Sequence, residues 1–92
     1  MALNIHVAHI LVQHRYEAED LLRKLRISKS AFADLAKKFS QCPSAHQGGD
    51  LGLVAMDRLD SDFAEAAELL TVGAISPIVR TRFGYHLIQR LA

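Results

Sequence analysis

Five histidines and one cysteine are the side chains of this sequence best suited to proton transfer, metal binding or nucleophilic attack. Two of them, His9 and His86, fall inside apolar stretches at residues 3–12 and 85–91. A ring placed there loses free energy unless its nitrogens find hydrogen-bond partners. Burial alone reads as a satisfied core histidine. The functional readings are proton transfer, a metal site or orientation of another group. Cys42 precedes Pro43 at the edge of a glycine-containing stretch, either as a small buried hydrophobe or as the nucleophile of a thiol hydrolase. One cysteine does not supply the closely spaced ligand pairs of structural zinc motifs, and His6 and His9, three apart on a strand, point to opposite faces. Gly48, Gly49 and Gly52 match neither phosphate-cradling glycine motif. No metal and no cofactor are expected. Leu59, Phe63 and Phe83 are candidates for an apolar pocket. Phe63 also reads as helix core, whereas Phe83, in a turn beside Gly84, is better explained by a binding surface.

These groups need elements to position them. The run at residues 3–12, rich in Ile and Val, predicts a largely buried strand with Ile5, Val7, His9 and Leu11 on one face. Three helices follow, each with apolar residues at i, i+3, i+4 and i+7: Ala18, Leu21, Leu22, Leu25; Phe32, Leu35, Ala36, Phe39; and Phe63, Ala66, Ala67, Leu70. Ser30 is the expected N-cap of the second helix, and Asp60 or Ser61 that of the third. Gly73 fits a left-handed position ending the third helix. Residues 41–52, with Pro43 and three glycines, predict a loop with tight turns, flanked by a short strand around Leu51, Leu53 and Val54. Beyond Pro77, residues 78–81 and 85–91 predict two strands around a turn at 82–84, with His86, Ile88 and Arg90 on one side of the last strand and Tyr85, Leu87 and Leu91 on the other. The order of elements is that of an α+β domain.

At 92 residues, half of them apolar, the chain is expected to form one globular domain, 1–92. The net charge is +1, divided into +3 over residues 1–40, −5 over 41–70 and +3 over 71–92. That is a dipolar surface rather than the basic face of a dedicated nucleic-acid binder, and Arg23, Lys24, Arg26 and Lys29 read as a solvated helix face. A lone cysteine forms no intrachain disulfide. With no apolar run near the ~20 residues of a membrane span and no leader signature, the expected setting is cytoplasmic, without membrane contact. Nothing demands an oligomer, so a monomer is expected.

Four segments, taken in order, resemble the parvulin family of peptidyl-prolyl cis/trans isomerases: A-H-I-L-V at 8–12; F-A-D-L-A-K-K-F-S-Q-C-P-S-A-H-Q-G-G-D-L-G-L at 32–53; Phe63 with Leu59 before it; and G-A-I-S-P-I-V-R-T-R-F-G-Y-H-L-I at 73–88. The strings C-P-S followed by G-G-D-L-G, and F-G-Y-H-L-I, are the specific ones. The resemblance implies a four-stranded, mostly antiparallel sheet surrounded by about four helices, one of them a short turn near residues 44–47. It implies that His9 and His86 meet at the centre of the sheet, with Cys42 beside them facing substrate and Thr81 in their hydrogen-bond network. Leu59, Phe63 and Phe83 would line the pocket for a proline ring.

The implied partners are proline-containing peptides and unfolded or partly folded proteins. The implied activity is isomerisation of X-Pro bonds, as a free-standing minimal member of the family. Two departures bear on specificity. The family branch that acts on phosphorylated residues before proline has a long Lys/Arg-rich loop after the first strand; here only Gln13, His14, Arg15 and Tyr16 stand there, so no phosphate requirement is expected. Leu59 replaces a frequent Met, a near volume-conserving exchange. The alternatives are a non-catalytic holdase module and, more remotely, a Cys-His hydrolase.

Overall fold

A computed structural model describes residues 4–27 and 31–92; Leu3, Lys29 and Ser30 lie outside the described residues. Strand β1 (Asn4–Val12) leads into α1 (Arg15–Ile27) and α2 (Phe32–Phe39). A 3-10 turn at Pro43–Gln47 then precedes β2 (Asp50–Ala55), and a second at Met56–Arg58 precedes α3 (Ser61–Glu68). Strands β3 (Val79–Thr81) and β4 (Gly84–Arg90) close the chain. The sheet order is β2-β1-β4-β3, and every pairing is antiparallel. Three α-helices are present among the described residues rather than about four. The expected short turn near 44–47 is the first 3-10 segment, too brief to show a helical period.

The apolar run of β1 is continuous because the sheet is covered on both faces. Ala8, Ile10 and Val12 pack with Ala18 and Leu21 of α1, Phe32, Leu35 and Ala36 of α2, and Leu87 of β4. Ile5 and Val7 point the other way, to Ile88 of β4 and to Phe63 and Ala67 of α3. The expected division of β4 holds: His86 and Ile88 share the α3 side, Tyr85 and Leu87 the other.

Local chemistry sets the helix ends. Glu17 accepts a hydrogen bond from the His14 N–H at the start of α1, and Lys24 and Arg26 occupy its last turn, complementing the helix dipole. Lys24 and Arg23 also bridge to Asp20 on the exposed face. Phe39, expected in the apolar stripe of α2, is exposed, with the Lys24 and Lys38 ammonium groups over its ring. Ala31 occupies the N-cap position of α2 and provides no side-chain cap. Asp60 caps α3 by accepting from the Asp62 N–H at 3.0 Å. Gly73 has a positive φ of 89°, but α3 ends at Glu68, so this glycine serves a later turn closed by Ala74 N–H to Thr71 O.

Residues 73–76, to which the sequence pattern assigns no strand, run along β4: Gly73 N–H donates to Arg90 O, Arg90 N–H to Ala74 O and Ser76 N–H to Ile88 O. Ser76 is fully buried and its hydroxyl accepts the Ile88 N–H. Pro77 has no N–H, and the pairing stops there before resuming in β3.

The loop carrying Cys42 is fastened to β1 at both ends. Gln41 N–H donates to Leu11 O, Ser40 Oγ accepts from both Leu11 and Cys42 N–H groups, and His9 N–H donates to Gly49 O at 2.9 Å. Gly49 holds φ at 82°, and a Cβ there would collide with the His9 carbonyl oxygen. Gly49→Ala is therefore expected to destabilise the domain by more than about 2 kcal/mol in urea unfolding. A loss below 0.5 kcal/mol, on the order of a neutral surface change, would show that the loop need not sit so close to β1.

Candidate functional site

Register brings the two strand histidines together. Opposite His9 on β4 stands Ile88, and opposite His86 on β1 stands Leu11, so the histidines are diagonal neighbours on one face. That spacing is within reach of rings. Their planes stack at 18° with centroids 5.2 Å apart, and His9 Nδ1 lies 3.0 Å from His86 Nδ1. One Nδ1 must carry the proton and the other accept it, so the accepting ring is neutral. Two doubly protonated rings would set N–H against N–H.

The chain of contacts continues outward. His86 Nε2 is 2.7 Å from Thr81 Oγ1, which also accepts the Phe83 N–H at 3.1 Å. The β3–β4 turn is thereby tied to the central pair, and Thr81 stands behind His86 rather than on the cleft wall. His9 Nε2 has no hydrogen-bond partner among the described residues. Phe63 packs edge-on against both imidazoles, at 5.5 Å from His9 and 5.3 Å from His86.

Burial disfavours the charged form of both rings. Desolvation, helped by the neighbouring His86, pushes the His9 pKa down to about 4. Desolvation also lowers His86, partly opposed by the Asp60 carboxylate.

In front of the histidines opens a cleft of about 400 Å³. Six of the seven residues singled out from sequence line it: His9, Cys42, Leu59, Phe63, Phe83 and His86. Sequence reasoning missed Leu11, Gln41, Pro43, Leu51 and Arg58 as wall residues and took Asp60 only as a cap. Strand alternation placed Leu11 on the His9 face, and Gln41 and Pro43 adjoin Cys42; nothing in the pattern marked Arg58.

The arrangement suits binding an apolar group more than attacking a bond. Cys42 is half-buried, and its thiol has no hydrogen bond to either histidine among the described residues, so no base stands ready to activate it. Among the described residues no three His, Cys, Asp or Glu side chains converge as metal ligands.

This fold and cleft are those of a known family. The sequence profile of the rotamase domain, the PPIC-type PPIase domain, matches residues 9–92. The chain belongs to this family, the parvulin-type peptidyl-prolyl isomerases. It is 46% identical over 85 residues to a probable parvulin-type peptidyl-prolyl cis-trans isomerase of Bordetella bronchiseptica, covering 90% of this chain and 33% of that protein. It is 41% identical over 87 residues to the foldase protein PrsA of Bacillus subtilis, covering 94% and 30%. The solution structure of NmPin, the parvulin of Nitrosopumilus maritimus, superposes with a TM-score of 0.85 at 37% identity, covering 97% of this chain and 96% of that one. The chain thus spans about a third of the length of the curated relatives it matches.

A buried neutral histidine ties stability to pH. Below about pH 6.5, the usual histidine value, the unfolded chain binds protons that the folded pair refuses. Stability should therefore hold above pH 6.5 and fall by on the order of 3 kcal/mol as the pH drops towards 4. Urea unfolding at pH 7, 6, 5 and 4 measures this, with His9→Asn as the control that removes most of the slope. An equal slope in wild type and control would mean that the pair is not held neutral.

Proposed function

We propose that the chain catalyses cis/trans isomerisation of X-Pro bonds in peptides and partly folded proteins. The observation that carries this reading is the apolar cleft floored by two neutral, mutually hydrogen-bonded histidines. An X-Pro bond resists rotation with a barrier of ~18–20 kcal/mol because resonance holds it planar, and no covalent bond has to break. Catalysis requires only that the twisted amide bind better than the planar one.

Leu59, Phe63 and Phe83 provide a wall for the proline ring. Closing them around the ring strips water from the amide and favours the less polar, twisted state. Uncharged histidines suit this task, since an imidazolium would attract water into the same space. Cys42 then acts as a polar wall beside the rotating amide, and Thr81 fixes the orientation of His86. Lowering the barrier by about 4 kcal/mol gives roughly a thousandfold acceleration. No cluster of basic side chains follows β1, which supports activity without a phosphate on the substrate.

The proposed setting is a monomer in the cytoplasm, away from membranes. The unpaired Cys42 supports the compartment, and no described helix is long and apolar enough to cross a membrane. Of the two structurally related SurA-like chaperones of Campylobacter jejuni among which a solved neighbour falls, one is described as periplasmic, so cell fractionation decides the location.

NMR exchange on short X-Pro peptides with Ala, Leu, Glu or phosphoserine before proline tests the activity. Faster exchange for unphosphorylated peptides is expected. Binding without faster exchange would favour the holdase alternative. Phe83 is 53% exposed, so Phe83→Ala should leave stability within ~1 kcal/mol while lowering kcat/KM about tenfold. Phe63→Ala, by contrast, should also cost about 3–5 kcal/mol of stability. An unchanged kcat/KM in folded Phe83→Ala would remove this residue from the pocket.

A further inference from the structure

The cleft wall carries two ionised side chains, Arg58 and Asp60, on either side of Leu59. They do not neutralise each other, since no ion pair joins them among the described residues. Asp60 is committed to capping α3, and its charge is felt by His86. Arg58 is exposed and has no hydrogen bond, ion pair or ring contact among the described residues. The arginines of β3, the β3–β4 turn and β4 are occupied: Arg82 lies over the Phe83 ring, Arg80 over Tyr85, and Arg90 donates to the Leu70 carbonyl. Arg58 also borders a second hollow, of about 420 Å³, that runs along β2 past Leu53 and Val54. Arg58 thus borders both the cleft and this hollow.

We propose that Arg58 makes this site selective for substrates with an aspartate or glutamate among the residues flanking the proline. The inference rests on the isomerase reading above and names a substrate class within it. A guanidinium is weakly hydrated and presents a planar fork that matches a carboxylate. Because Arg58 has no internal partner among the described residues, a substrate carboxylate there competes with solvent alone. Asp60 repels a carboxylate from the histidine floor, so an acidic side chain belongs at the outer wall rather than in the proline pocket. Solvent screens the exposed guanidinium, so the discrimination is modest, about two- to fivefold. One such arginine creates a preference and not a requirement, in keeping with activity on uncharged peptides.

The test uses peptides in which Glu, Gln or Lys is placed in turn at the two positions before and the two after proline. Both kcat/KM by NMR exchange and Kd by chemical-shift titration are measured. Wild type should favour Glu over Lys by about two- to fivefold at one position at least, and 0.5 M salt should erase most of the difference. Arg58→Gln should bring the Glu/Lys ratio towards one, and Arg58→Glu should invert it; ratios within one variant cancel any general change in activity. Peptides that are isomerised without charge discrimination, or a Glu preference that survives in Arg58→Gln, would overturn the inference while leaving the isomerase reading intact. If no peptide were isomerised, the isomerase reading would fail, and the Kd ratios would still decide whether Arg58 selects carboxylates.

Discussion

The antiparallel register between β1 and β4 is the constraint on which the rest depends. It sets His9 and His86 diagonally on one face, close enough for a 3.0 Å contact between their Nδ1 atoms. A shift by one residue would send one ring to the opposite face among the side chains of α1 and α2. The cleft would then lose its floor, and a polar group would be buried in an apolar core without its partner. Much of the surrounding structure secures this register, including the Gly49 contact on one side and the Thr81 contact on the other.

The pair is polar but uncharged, and that decides what the cleft can do. Buried charges demand partners or water. Two neutral imidazoles sharing one hydrogen bond leave the cleft both apolar and ordered. Phe63 contributes twice, filling the core between the sheet and α3 while packing edge-on against both rings. The cleft floor and the folding core on this side of the sheet are therefore one object, and substitutions there change the cleft and the stability together. Residues such as Phe83 and Arg58, at the rim, separate the two.

Legibility in the sequence followed the strength of each local pattern. Period-two alternation placed His9 with Val7, and His86 with Ile88, on the correct faces, and the helical stripes of Ala18–Leu21 and Phe63–Ala67 pointed to the core. That the two histidines touch was implied by the family resemblance alone, because alternation fixes a face but not a register. The segment around Ser76 was unreadable as pairing structure: a serine and Pro77 look like loop, and its partners lie on β4. Arg58 and Asp60 belong to a short turn and its exit, where no period exists to say which way a side chain faces. Gly73 showed the opposite failure, since its residue type gave the backbone conformation correctly but not the element it serves.

The two strands at the heart of the sheet come from opposite ends of the sequence, and the histidine contact spans 77 positions. Such a contact closes a loop of nearly the whole chain, and the entropy of that closure is met before any of the central pairing is gained. During synthesis α1, α2 and α3 emerge with their apolar stripes facing a sheet whose second central strand has not yet been made. The central pairing therefore waits until β4 can slot between β1 and β3, and until then the nascent chain leaves the apolar faces of its helices without the full sheet to cover them.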